Sequence, residues 1–404
     1  MNDKESINLI LRVYQNRRSI PREIGLWLLG LHSIFVFLNP DPYLGVADYY
    51  IFYIAFIGFT FISLTNFTVE KEGKIVIFLA VFLLLEVGVA AAQGVFSSGY
   101  FLSYSLYLFT LFQMLNWDYS EEETDKILAF YIGAAVVTTA ILFVQRYDFY
   151  GGGDQRHTIK ILSHEAIDPN FIAAYLVVPA VIAYSKMLNR FRVVYLIAFL
   201  VILAGILYTS SRGAAIGFVL GAGIVTLGFF KGRKKIRKIV ILLMALIIGF
   251  FVALEYLPQA SLSRIVDVAS YQDGSNAKRL VDWRYGMEAF LQNPILGYGV
   301  QGEMSIIKRV IGVNYISHNT YIALLLQFGV VGFCIFLFCL VELYKNIRHN
   351  TLAKAILAST FFVSLLVSAE VAVFFWMPIM LVVMMSVQER KKLLEIQLNR
   401  RIMR

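Results

Sequence analysis

Apolar runs of about 17 to 25 residues recur along nearly the whole chain, separated by short polar stretches. A run of that length is what an α-helix needs to cross the hydrocarbon layer of a bilayer. Twelve runs can be placed, centred on residues 24–38, 49–65, 75–92, 100–117, 127–145, 169–185, 193–210, 213–230, 239–257, 320–344, 353–369 and 371–387. The pattern predicts an all-α polytopic membrane protein of about twelve transmembrane helices, organised as a single integral-membrane domain over residues 1–404. It breaks once at length, over residues 258–319, where short helical patterns lie in a loop between the ninth and tenth runs.

Composition supports the same class. With 59% apolar and 16% charged residues in 404, one soluble core could not hide the apolar surface, so lipid must be the solvent. The net charge of +9 raises nucleic acid as a partner, but the basic residues sit in short loops between apolar runs and form no contiguous stripe. Membrane topology accounts for that charge better, with membrane lipids as partners and no nucleic acid. Cys334 and Cys339 lie in one apolar run on different helix faces and read as packing residues.

Charge also sets the orientation, because cytoplasmic loops retain lysine and arginine. Arg12, Arg17, Arg18 and Arg22 precede the first run without a small-residue cleavage site, which reads as a retained first span with the N-terminus cytoplasmic. An even number of spans then returns the C-terminus to the same side. Of the ten basic residues left outside, nine fall in two loops, 146–168 and 258–319. Loops that keep arginine against the topological bias are candidates for binding an anion.

Within the long loop, Leu280, Trp283, Met287 and Phe290 recur at steps of three and four, predicting a helix with one apolar face. Arg279 and Arg284 project from other faces: either the helix lies at the membrane surface and presents guanidinium groups to phosphate, or it plugs the bundle with its arginines paired to Asp282 and Glu288. Asn293-Pro294 stops that helix, and Gly297 and Gly299 permit a tight turn. His318 opens the tenth run, where a helix N-terminus disfavours imidazolium and leaves a neutral base, unless the ring is simply an interfacial histidine satisfied by water.

Arg212 sits between two runs in Tyr208-Thr209-Ser210-Ser211-Arg212-Gly213, and Gly213, Gly217 and Gly221 then repeat every fourth residue, letting a second helix come close. That arginine is either a donor fork for diphosphate or a headgroup-level snorkelling side chain. Asp168-Pro169-Asn170 begins the sixth run with a capping carboxylate and a proline at the first helical position. The loop before it holds Arg156, His157, Lys160, His164 and Glu165, which can reach sugar or phosphate or be merely solvated. Carboxylates in the membrane would suit a carrier instead, but of Glu86, Glu255, Glu342 and Glu370 only Glu86 lies clearly inside a run.

Taken together, Arg279-x3-Trp283, Asn293-Pro294-x2-Gly297-x-Gly299, His318-Asn319-x-Tyr321 and Gly329-x2-Gly332 resemble the shared domain of the bacterial O-antigen ligase and O-antigen polymerase superfamily. Ser211-Arg212-Gly213 and Asp168-Pro169-Asn170 resemble its two upstream motifs, and the likeness covers residues 165–335 closely. The resemblance implies a helical fold of the polyprenyl-phosphate glycosyltransferase (GT-C-like) type in the bacterial plasma (inner) membrane. It further implies a metal-independent, inverting transfer without a cofactor, from a glycan on undecaprenyl diphosphate. The acceptor would be a glycolipid or protein hydroxyl in a ligase and the next lipid-linked glycan repeat in a polymerase. A non-enzymatic lipid-linked sugar carrier is the reading of another class. Carried over by position, Arg212 and Arg279 would hold the diphosphate and His318 would activate the acceptor. Arg284 and Arg156 would assist with the diphosphate, with Asn319, Asp168, Asn170 and Trp283 supporting the site.

Overall fold

The computed structural model describes residues 71–116, 119–145, 147–151, 154–160, 167–230 and 274–402. The expected runs at 24–38, 49–65 and 239–257 lie outside the described residues, as do Arg146, His164, Glu165 and Glu255. The remaining runs are helical: α1 (Lys71–Ala92), α2 (Ser98–Asn116), α3 (Glu121–Gln145), α4 (Pro169–Asn189), α5 (Val193–Tyr208) and α6 (Arg212–Phe230). After the gap come α7 (Gly274–Gln292), α8 (Glu303–Ile311), α9 (Thr320–Asn346), α10 (Thr351–Ser364) and α11 (Val373–Ile402). Six of these are long and apolar enough to cross a membrane: Ile75–Ala92, Glu121–Gln145, Pro169–Asn189, Arg212–Phe230, Thr320–Asn346 and Val373–Leu393. α5 and α10 are shorter apolar helices.

The most deeply buried of these is α4. It is apolar on every side, from Ile172 and Ala173 through Leu176, Val181 and Met187, which is how a helix reads when protein surrounds it. Asp168 starts it as expected, its carboxylate accepting from the Asn170 N–H at 2.7 Å with Pro169 in the first turn. α10 lies along the glycine edge of α6. A Cβ on Gly217 would meet Val363 at 2.6 Å and one on Gly221 would meet Ser359 Oγ at 2.1 Å, while Ser359 Oγ donates to the Gly217 carbonyl at 2.9 Å. The four-residue glycine spacing is thus filled by a neighbouring helix.

Between α3 and α4 the chain forms an antiparallel hairpin, β1 (Tyr147–Gly151) with β2 (Asp154–Thr158), where a loop was expected. The alternation there is too short to separate from loop composition.

α9 is interrupted. Gly329 has φ 61° and ψ −168°, about 14 Å into the helix by its rise per residue. The broken ladder is completed by the segment after α7. Tyr298 and Gly299 N–H groups donate to the carbonyls of Leu326 and Gln327, both at 2.8 Å, and the Val330 and Val331 N–H groups donate to those of Pro294 and Ile295 at 2.8 and 3.2 Å. Gly297 and Gly299 therefore do more than turn the chain. Backbone meets backbone there: a Cβ on Gly329 would lie 2.2 Å from the Ile295 carbonyl oxygen, and one on Gly299 2.5 Å from that of Glu86. Part of the expected outer loop is wedged into the bundle, since unpaired backbone groups there are costly in an apolar medium.

The apolar residues expected on α7 are divided between protein and the exterior. Phe290 is buried and Trp283 partly buried, packing with Ala289, Tyr298, Ile306, Ile307 and Ile322, but Leu280 is 66% exposed and Met287 is exposed as well. The inward face runs instead through Asp282, Gly286 and Ala289, because Gly286 lets Ile322 and Ser317 approach to 2.6 and 3.3 Å of where a Cβ would stand.

Candidate active site

Arg156, Asp168, Asn170, Arg212, Arg279 and His318 gather at one end of the bundle, where α4, α6 and α9 begin and α5 and α10 finish. One half is a corner built around Asn170. Its Oδ1 accepts from Arg156 Nη2 at 2.9 Å and from Ser211 Oγ at 3.0 Å. Arg156, 8% exposed, also donates from Nε and Nη2 to the Thr209 carbonyl at 3.3 and 3.2 Å. His157 on the same strand stacks on Tyr208, ring centroids 4.4 Å apart. β2 thereby clamps the turn between α5 and α6, and Arg212 emerges from that clamp as the first residue of α6. Arg156 holds the turn through these bonds.

The other half surrounds His318. Asn319 caps α9, its Oδ1 accepting from the N–H groups of Tyr321 at 2.9 Å and Ile322 at 3.3 Å. His318 thus stands just outside the helix. Burial lowers its pKa first, with Arg279 and Lys278 pressing the same way, while Asp168 and Asp282 push it up. The net direction is downward, so the ring favours its neutral form, and burial outweighs the helix terminus as the reason. Asp168, at the head of α4 beside Asn170, ties the two halves together electrostatically.

Arg279 belongs to this half. Asp282, one turn on, is buried with Oδ1 lacking a hydrogen-bond partner among the described residues, and burial raises its pKa against the pull of His318, Lys278 and Arg279. Arg284 does not join them: two residues beyond Asp282 it points to the far side of α7, exposed and paired with Glu288 at 2.9 Å. Trp283 packs in the small core behind Arg279, its Nε1 buried and without a hydrogen-bond partner among the described residues.

Only two non-glycine residues among those described have left-handed φ: Ser210 at 57° and His318 at 50°. Each costs about 1–3 kcal/mol and persists where its surroundings over-determine it. One immediately precedes Ser211-Arg212 and the other is the candidate base.

Sequence reasoning missed Glu303, the first residue of α8, whose carboxylate is 1% exposed and accepts from the Ser317 N–H at 2.5 Å and Ser368 Oγ at 2.7 Å. An acid in a first helical turn reads as a dipole partner, and nothing local shows that it turns inward. Among the described residues no three His, Cys, Asp or Glu side chains are grouped as metal ligands.

The family model described as O-antigen ligase matches residues 171–337, the stretch that runs from α4 through α9. That part of the chain is similar to the O-antigen ligase family. A search of curated proteins found no match. The resemblance read from the motifs is borne out, and with it the general function of an O-antigen ligase-like, glycosyltransferase-type enzyme in a multi-pass membrane protein, acting with lipid-linked glycan and membrane lipids.

Proposed function

We propose that this O-antigen ligase-type protein transfers a glycan from undecaprenyl diphosphate to an acceptor hydroxyl at the outer face of the bacterial inner membrane, with His318 as general base. The observation that carries this is the meeting, at one end of the bundle, of a buried histidine favouring its neutral form with Arg279 and with the clamped corner that presents Arg212.

The chemistry follows from charge. As the sugar leaves, negative charge grows on the diphosphate, and guanidinium forks held in place stabilise it without reorganising. His318 takes the proton of the attacking hydroxyl, which adds the oxygen to the anomeric carbon from the face opposite the departing diphosphate and inverts the configuration. Both termini face the cytoplasm in this arrangement. An apolar groove between α1, α2, α9 and α11, lined by Val76, Phe82, Leu108, Phe328, Leu340 and Trp376 among others, offers a bed for an isoprenoid chain.

The matched family model fits the ligase and polymerase versions alike, and the ligase version is preferred because the Arg279, Trp283 and His318-Asn319 pattern resembles that domain most. The carrier alternative has one observation on its side, a broken membrane helix beside the fully buried Glu370. Yet the carbonyls freed at that break already accept from Tyr298 and Gly299, so they are occupied by protein backbone. The test is transfer of a labelled lipid-linked glycan by purified protein. His318→Ala should slow transfer by about a hundredfold to ten-thousandfold while donor binding persists. Unchanged transfer would remove His318 from the reaction. Chain growth from the lipid-linked repeat alone, with no second acceptor, would show a polymerase.

A further inference from the structure

We infer that Glu303 is a positioning residue for His318, holding the backbone on both sides of it so that the imidazole is presented from its left-handed conformation. The catalytic part of this inference rests on the glycosyl-transfer reading above. The geometric part stands on three pieces of chain that are distant in sequence and meet at one carboxylate. Oε1 accepts from the N–H of Ser317, the residue before His318, at 2.5 Å. Oε2 accepts from Ser368 Oγ at 2.7 Å, and that oxygen in turn accepts from the N–H of Asn319, the residue after His318, at 3.2 Å. Thr320 extends the zipper, donating to the Val367 carbonyl at 2.7 Å and accepting from the Ala369 N–H at 2.9 Å. His318 therefore hangs between two fixed points, at φ 50°.

The site demands a carboxylate. Ser317 offers a backbone N–H, and Ser368, whose oxygen is already taken by Asn319, must give away its hydroxyl hydrogen. Two donors converge, and only an acceptor-only side chain with two oxygens meets both; a glutamine would turn an N–H₂ group against one of them. Asp282 and the buried Glu370 are the acidic groups that face Glu303. Burial above all, with Asp282 adding to it, pushes the Glu303 pKa up to about 7, against the bonds from Ser317 and Ser368 that hold it down. The directed hydrogen bonds on the candidate base's own loop hold the carboxyl group in place and favour its ionised form against burial.

The experiment uses full-length protein in lipid nanodiscs with ¹⁵N-labelled histidine, the His318 signals being assigned with His318→Gln. Glu303→Gln should lower kcat by about tenfold to a hundredfold, as a displacement of the base on the order of 1 Å does. KM for the lipid-linked donor should stay unchanged, and the His318 ring signals should move. Ser368→Ala, a milder variant that keeps the fold, should act in the same direction, and the double variant should be no worse than Glu303→Gln alone because both act through one network. Wild-type kcat with unmoved His318 signals would overturn the proposal and leave the transfer reading intact. So would a loss confined to thermal stability. Should His318→Ala retain full transfer, the transfer reading fails, and the ring signals in Glu303→Gln still decide whether Glu303 positions the residue.

Discussion

The two ends of the bundle treat charge in opposite ways. At the end where α3 begins and α4 finishes, Asp125 pairs with Lys186 and, at 2.9 Å, with Arg190; Lys392 pairs with Glu121, and Glu122 with Lys126 at 3.4 Å. These are conventional pairs of opposite charge, largely open to solvent. At the other end, Arg156 spends its donors on an amide oxygen and a backbone carbonyl, and Glu303 spends its acceptors on a backbone N–H and a hydroxyl. Buried groups held by directed hydrogen bonds to neutral dipoles fix geometry, which exposed ion pairs do not do. The proposed chemistry lies at the second end, and each of the following experiments presses on that contrast.

The largest effect is expected at Arg212. Arg212→Lys keeps the charge and loses the fork, so transfer should fall by about a hundredfold while membrane insertion is normal, measured as turnover per inserted protein. Wild-type turnover would show that the clamped corner presents nothing to the substrate. Next is Gly329, where a side chain would both strain the left-handed backbone and strike the Ile295 carbonyl. Gly329→Ala should destabilise the protein by at least about 1–3 kcal/mol. Gly223→Ala, with nothing within 4 Å of the new carbon, should shift thermal unfolding by under about 1 kcal/mol.

A smaller, directional effect concerns pH. Arg279 lowers the His318 pKa, so removing its charge raises that pKa. Since the base works only when neutral, Arg279→Gln should move the acid limb of the kcat profile to higher pH, beyond any loss in rate. Asp282→Asn, which removes a carboxylate that raises the same pKa, should move it to lower pH. Opposite shifts in the two variants test whether His318 is the titrating base. The smallest effect belongs to the first end: Glu122→Gln should cost less than about 0.5 kcal/mol and leave transfer untouched.

Several pieces of the site were legible beforehand because their signals are local. Asp168-Pro169-Asn170 announces a capped helix start, and the spacing of Gly213, Gly217 and Gly221 announces a close helix neighbour; both are found. The neutral tendency expected of His318 also has the right direction, although burial is its main cause. Leu280 and Met287 stand exposed while Phe290 is buried, because periodicity shows that a helix has an apolar stripe but not whether protein or lipid covers it. In a membrane protein both coverings are apolar, so the stripe loses its inward meaning.

What the chain determined by itself is the succession of apolar runs, their caps and the order of the motifs, all encoded within a few residues of one another. The tertiary structure alone decided that residues 294–300 complete a broken α9, that Arg156 serves Asn170 and Thr209, and that Glu303 reaches Ser317 and Ser368. Those partners lie 14 to 65 residues apart along the chain. A hydrogen bond between distant segments leaves no period in the sequence, and only the packing that brings its donor and acceptor together reveals it.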